Sequence, residues 1–307
     1  AILHKAEICN AALARLDRQR GRICYANSQI GSSSVRDIEV DGAQLDAAPE
    51  VMCDAVNLTH LLASVRAAGN AILKVREQGV SARYKADASP VTLADEQANA
   101  ILVAALADLY PDLPVISEEE SGSHKLSPQA LYALVDPLDG TREFLRSDSA
   151  GAWTVNIGLI KDRCAIGGIV YAPYLDWLCW GGPATGTWQI KSGQLSKVTV
   201  RSCPDTGPVA VASRSHLDLQ TEQFLDQHGI EQTTSVGSSL KFLLLATGQA
   251  DIYPRFGPTM EWDTAAGEAV LAGAGGAVYD VQGQLHRYGK SGWRNGPFIA
   301  CAGFTVF

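Results

Sequence analysis

Two aspartates three residues apart, Asp136 and Asp139, lead directly into Gly140 and Thr141 within the run Leu134-Val135-Asp136-Pro137-Leu138-Asp139-Gly140-Thr141-Arg142-Glu143-Phe144. Carboxylates are hard oxygen donors that suit Mg²⁺, an ion usually bound through a few carboxylates plus substrate phosphate oxygens. The Gly-Thr pair adds a place for an anion. Glycine lets backbone approach a ligand closely, and the amides of Thr141 and Arg142 at a helix start would point donors at negative charge. The apolar stretch from Leu131 to Val135 reads as a buried strand; Pro137 is expected to stop it and leave Asp136 and Asp139 on a strand-end loop. A Pro-Asx-Gly turn with its acids in water is the plain alternative for so short a motif.

Two distant segments carry acids in similar settings. Ile116-Ser117-Glu118-Glu119-Glu120 places three of them after the apolar run Leu113 to Ile116, at another strand end. Glu261-Trp262-Asp263-Thr264-Ala265-Ala266-Gly267-Glu268-Ala269 opens a small-residue helix with an acid near its first turn, where Asp263 could equally be an N-cap. Three acidic element ends favour one shared site. Rival chemistries fit less well. An aspartyl-phosphate enzyme of the D-x-D-G-T type needs its nucleophile at the place of Pro137, and Ser213 and His216 are not in a G-x-S-x-G elbow. With no H-E-x-x-H among six histidines, a zinc hydrolase is not expected.

Taken together, Ser117 to Glu119, Asp136-Pro137-Leu138-Asp139-Gly140-Thr141 and Trp262-Asp263-Thr264-Ala265-Ala266-Gly267 resemble the inositol monophosphatase superfamily of Mg²⁺-dependent, Li⁺-sensitive phosphatases. Within it, Arg142-Glu143-Phe144, Trp153-Thr154-Val155-Asn156-Ile157, Val211 to His216, Gly237 to Phe242 and Tyr253 to Thr259 resemble the 3'(2'),5'-bisphosphate nucleotidases, over about residues 57 to 307. The resemblance implies two or three Mg²⁺ ions on Glu118, Asp136, the Leu138 carbonyl, Asp139 and Asp263. It implies catalytic roles for Glu118, Thr141 and Asp95, the last in Ser89-Pro90-Val91-Thr92-Leu93-Ala94-Asp95. Read without it, Thr92 is a helix cap and Asp95 a first-turn acid stabilised by the helix dipole. The implied substrate is adenosine 3',5'-bisphosphate, a by-product of sulfate assimilation, contacted by Glu118, Leu138, Asp139, Gly140, Thr141 and Asp263. Arg214, Lys241 and Arg255 are candidates for its second phosphate or ribose, or else solvated surface charges. An inositol or sugar phosphatase is the nearest alternative, and a catalytically silent nucleotide-binding module a more distant one.

A net charge of −8 argues against sequence-blind binding to nucleic acid polymers, which rests on basic surface. Seven cysteines form an odd count with no C-x-x-C, which fits reduced thiols rather than a disulfide framework or zinc site. Cys164, Cys179 and Cys301 lie in apolar runs and read as core. No apolar run approaches a membrane span. The expected location is the cytoplasm, free or peripheral on the cytoplasmic face of the inner membrane.

Stepping out from these motifs, residues 1–55 form an extension of unknown role: a helical apolar pattern over Ala1 to Leu16, a basic run Arg15 to Arg22, and a Ser-, Gly- and acid-rich linker from Ser28 to Asp46. An N-terminal α+β lobe is expected over 56–205, with helices at Thr59 to Glu77 and Thr92 to Leu109 over a meandering sheet that ends at Val198 to Val200. Strand and helix then alternate over 206–307, the pattern of a second sheet covered by helices. The resemblance implies a five-layer α/β/α/β/α sandwich with the site between the lobes.

Overall fold

The computed structural model describes residues 15–17, 22–24, 45–84, 90–146, 151–213 and 218–307, the first two stretches and Ser213 by backbone alone. Contacts divide the chain between Ala47 and Ala48. In the first unit Arg15–Asp17 pairs antiparallel with Arg22–Cys24, so Arg15 and Leu16 are strand where a helix was expected; the rest of that expected helix lies outside the described residues.

The second unit starts ahead of the expected boundary at 55 for a packing reason. Val51 and Cys53 are buried, Leu58 donates its amide to the Val51 carbonyl, and the Thr59 hydroxyl donates to Pro49. Helix α1 (Leu62–Gln78) buries Leu62, Val65, Ala68, Ile72 and Val75, the spacing of one helical face, and stops at Gly79, whose φ of 92° suits glycine. Helix α2 (Leu93–Leu109) starts from a capping box between Thr92 and Asp95 and buries Ala94, Ala98, Leu102 and Leu106. The two helices pack on each other and on one face of a seven-stranded sheet.

That sheet comprises β1 (Val115–Ser117), β2 (Leu131–Asp139), β3 (Thr154–Lys161), β4 (Cys164–Ala172), β5 (Trp177–Gly182), β6 (Gly186–Lys191) and β7 (Gln194–Val198), in chain order and antiparallel except for β1 on β2. Two expectations are corrected here. β2 continues through Pro137 to Asp139, because the register slips between Asp136, opposite Asn156, and Asp139, opposite Thr154. Pro137, which has no N–H to give, falls in that bulge where the ladder is already interrupted. The last strand is Gln194–Val198, a mostly exposed edge, and not Val198 to Val200.

Beyond the first sheet the chain forms β8 (Val209–Ser213), α4 (Leu219–Gln227), β9 (Gln232–Val236), α5 (Leu240–Ala246), β10 (Ile252–Arg255), α6 (Trp262–Gly273), β11 (Ala277–Asp280) and β12 (Phe298–Cys301), α3 being the short helix Thr141–Leu145 after β2. The five-stranded sheet has the order β9-β8-β10-β12-β11, parallel among β8, β9 and β10. Helices α5 and α6 pack between the two sheets and α4 lies against β10, which completes the five layers. The central layer is apolar, with Val170, Trp177, Val211, Phe242, Leu243, Val270 and Phe298 in one cluster. Small residues set how closely α6 approaches the first sheet: a Cβ on Gly158 would lie 2.5 Å from the Ala265 Cβ, and one on Gly168 2.4 Å from the Ala266 carbonyl. Cys179 and Cys301 are core residues as expected, whereas Cys164 is half-buried, with its sulfur against the Arg287 guanidinium. No helix among the described residues is long and apolar enough to cross a membrane.

Candidate active site

Three elements converge. β1 delivers Glu118, whose amide donates to the Val135 carbonyl at 3.0 Å and so fixes it beside Asp136 on the neighbouring strand. The bulge in β2 supplies Asp136, whose Oδ1 accepts the Leu138 amide at 3.1 Å. The first turn of α6 supplies Asp263, whose Oδ2 accepts the Met260 amide at 2.8 Å; the helix starts at Trp262, so Asp263 lies inside it and Glu261 holds the cap position. Glu118, Asp136 and Asp263 each bring a carboxylate oxygen within 4.8 Å of the other two.

Burial, followed by the charges of Glu118, Asp139, Asp263 and Glu119, pushes the Asp136 carboxyl well above the usual carboxylate range. Burial also raises Asp263 well above it, reinforced by Asp139 and Glu118 and opposed by the Met260 amide. Hard oxygens packed this closely, with mutual repulsion that a cation would relieve, are a donor set that could hold a hard divalent ion.

Asp139 stands outside that group of three. The Ser239 hydroxyl sits between its Oδ2, at 2.9 Å, and the Asp263 carbonyl, at 3.0 Å, tying β2 to α6. Burial raises the Asp139 carboxyl while the Lys241 ammonium and the Ser239 hydroxyl lower it. Lys241 is itself buried, donates to the Ser238 carbonyl at 2.7 Å and lies 5.3 Å from the Tyr253 ring; burial brings it down to about 8 against the pull of Asp139.

Gly140 turns β2 into α3 with φ of 92°, and a Cβ there would meet the Ala152 carbonyl at 2.9 Å. A side chain is therefore excluded on two grounds, conformation and space. The turn sets the Thr141 hydroxyl 3.0 Å from Asp95 Oδ1 and 3.1 Å from the Leu138 carbonyl. Asp95 Oδ2 meanwhile accepts the Thr92 amide at 2.7 Å and the Thr92 hydroxyl at 2.6 Å. Asp95 therefore caps α2 with one oxygen, as its sequence context predicts, and turns the other to the Thr141 hydroxyl. Burial raises its carboxyl, opposed by those hydrogen bonds.

The structure therefore gathers Glu118, Asp136, Asp263, Asp139, the Leu138 carbonyl, Gly140, Thr141, Asp95 and Lys241 around one locus. Arg255, at the end of β10, donates from Nη2 to the Pro258 carbonyl at 3.2 Å, and its buried Nε has no hydrogen-bond partner among the described residues. Arg214 lies outside the described residues, as do Ser89 and His216. Ser239 is the residue that sequence reasoning passed over. It stood within the Gly237 to Phe242 segment, but a serine carries no signal of its own for a bridging role.

Residues 55–302 match the inositol monophosphatase family model. The 3'(2'),5'-bisphosphate nucleotidase CysQ of Escherichia coli is 45% identical over 222 residues, 71% of this chain and 88% of that protein. Among solved structures, CysQ from Bacteroides thetaiotaomicron, a bacterial member of the same family, superposes with a TM-score of 0.68 at 34% identity, covering 79% of this chain and 95% of the other. The Thermotoga maritima IMPase gives a TM-score of 0.66 at 20% identity over 80% of this chain and 92% of its own, a likeness of fold.

Proposed function

Because the chain belongs to the inositol monophosphatase family, we propose that it is a Mg²⁺-dependent phosphatase that removes the 3'-phosphate of adenosine 3',5'-bisphosphate to leave AMP, and that it also accepts the sulfated analogue of that nucleotide. The observation that carries the reading is the convergence of Glu118, Asp136 and Asp263 within 4.8 Å, beside the Thr141–Asp95 pair. The substrate follows from the 45% identity to nucleotidases over most of their length.

The residues that would hold the ions are Glu118, Asp136, the Leu138 carbonyl, Asp139 and Asp263. Bound there, Mg²⁺ supplies a lowered pKa for attacking water and charge neutralisation at the departing ribose oxygen. The chain's own groups manage the proton and the orientation. Thr141 donates its hydroxyl hydrogen to Asp95 Oδ1 at 3.0 Å, which leaves the Thr141 oxygen lone pairs to accept from the water. Burial raises the proton affinity of Asp95, so the pair is suited to take up the proton that the water gives up. Glu118 orients the same water from the end of the neighbouring parallel strand. Lys241 and Arg255 offer positive charge for the second phosphate, with Arg214 assigned to the same task. No covalent intermediate is needed, since Pro137 occupies the position where an aspartyl nucleophile would stand.

A substrate panel tests this. With saturating Mg²⁺, kcat/KM for adenosine 3',5'-bisphosphate is expected to exceed that for inositol 1-phosphate by about a hundredfold or more, roughly 3 kcal/mol of transition-state discrimination. The reverse order would replace the substrate while keeping the chemistry. Absence of phosphate release from either compound would overturn both.

A further inference from the structure

We infer that His124 is a positioning residue that holds two of the ligand-bearing segments, the end of β1 and the start of α6, in register for the metal. This inference rests on the metal-centre reading above. His124 lies in a short 3-10 turn, Ser123–Lys125, after the Glu118 to Glu120 run. Its Nε2 is 2.7 Å from the Ser117 carbonyl oxygen. A carbonyl can only accept, so Nε2 carries the hydrogen and donates it.

That carbonyl belongs to the same peptide unit as the Glu118 amide, which donates to Val135 at 3.0 Å. The peptide preceding the Glu118 side chain is therefore held on both edges. The Glu120 amide also reaches the Ser117 oxygen, at 3.1 Å, so His124 reinforces a turn rather than making it alone.

The other contacts of His124 run to the start of α6 and to Trp293, which adjoins it. Its ring stacks on Trp262, with centroids 4.8 Å apart and planes 22° from parallel, and Trp262 is the residue before Asp263. Its backbone carbonyl accepts the Trp293 indole hydrogen at 2.9 Å, and the Trp293 carbonyl in turn accepts the Glu261 amide at 2.7 Å. One side chain thus touches the peptide preceding Glu118 and the residue preceding Asp263, although the two ligands are far apart in sequence. Groups that orient ligands from behind tune metal affinity without touching the ion.

The test is Mg²⁺ binding by calorimetry to the full chain, with no substrate present, in the wild type, His124→Phe, His124→Ala and the neighbouring exposed-site control Lys125→Ala. His124→Phe keeps a ring over Trp262 and loses the hydrogen bond; His124→Ala loses both. The expected result is Mg²⁺ affinity weakened about threefold by His124→Phe, about tenfold by His124→Ala and not at all by Lys125→Ala. At saturating Mg²⁺, kcat and KM should stay within about twofold of wild type. Unchanged Mg²⁺ affinity in folded His124→Phe and His124→Ala would overturn the inference, as would a fall in kcat at saturating Mg²⁺ with affinity unchanged. Should His124→Ala fail to fold, the stack-preserving His124→Phe decides. A wild-type chain that binds no Mg²⁺ would overturn the metal-centre reading itself, a result distinct from either of these.

Discussion

Replacing Asp136 by asparagine is expected to stabilise the metal-free protein while abolishing its response to Mg²⁺. Asp136 is 1% exposed and lies within 4.8 Å of two other carboxylates, measured oxygen to oxygen. At 4.8 Å and an effective dielectric near 20, one like-charge pair costs about 3.5 kcal/mol, and the pairs with Glu118 and Asp263 together about 7. Proton uptake by the cluster relieves most of that, so the neutral isostere should return about 1–3 kcal/mol near pH 7.5. The asparagine oxygen can still accept the Leu138 amide, so the bulge keeps its hydrogen bond. At about 2–4 °C per kcal/mol for a domain of this size, Tm in chelator should rise by roughly 2–12 °C. Mg²⁺ at about a hundred times its Kd should stabilise the wild type by about 2.7 kcal/mol and the variant by much less, so the order of Tm values should narrow or reverse. Turnover should fall by at least about a thousandfold, some 4 kcal/mol of barrier. Thermal unfolding with and without Mg²⁺, alongside phosphate release, reads all three. A variant that is less stable than wild type in chelator, or that keeps the full Mg²⁺ stabilisation, would show that Asp136 is not a charge the empty cluster repels.

Further outcomes follow from other contacts. Thr141→Val should cut kcat by about a hundredfold or more with little change in Tm, and Thr141→Ser should restore most of it, because only the hydroxyl faces Asp95; equal losses in both would argue against the proton relay. Burial raises Asp136, Asp139 and Asp263 above an unfolded value of 3.8. The metal-free fold then binds more protons than the unfolded chain, so these groups favour the fold most below about pH 4 and their contribution is lost as pH rises through the raised native values. Denaturant titrations in chelator should show this decline flattened in Asp136→Asn; identical slopes would contradict it. Deleting residues 1–47, where the contact boundary falls, should leave turnover within about threefold of the full chain. Deleting 1–55 should cost stability as well, since it removes buried Val51 and Cys53, and equal Tm values for the two truncations would count against that packing.

The parts of the site that were legible are those whose chemistry is local. Asp136, Asp139, Gly140 and Thr141 lie within six residues, and a glycine before a helix start announces its own geometry, borne out by the φ of 92°. Glu118 and Asp263 were visible as acids at element ends that favour one shared site, and the close approach of α6 to the sheet at Gly158 and Gly168 is the tertiary contact that brings them together. The role of Ser239 was invisible because a hydroxyl between two distant segments leaves no pattern in either. Pro137 misled for a physical reason: the rule that proline ends a strand assumes an intact ladder, and here a bulge removes the demand for its missing hydrogen. The edge strand Gln194–Val198 was misplaced because four of its five residues are exposed, which erases the alternation that marks a half-buried strand. The boundary near 47 was obscured because the apolar run Val51-Met52-Cys53 is only three residues long before Asp54 interrupts it, too short to show a period.

On this reading the acidic ends of β1, β2 and α6 form a metal centre. Anomalous scattering from crystals grown with Mn²⁺ in place of Mg²⁺, with AMP and phosphate present, tests it most directly. A peak is expected among Glu118, Asp136 and Asp263, about 2.0–2.3 Å from their carboxylate oxygens, with the phosphate beside it and near Thr141. Strong peaks elsewhere with none among these three carboxylates would contradict it.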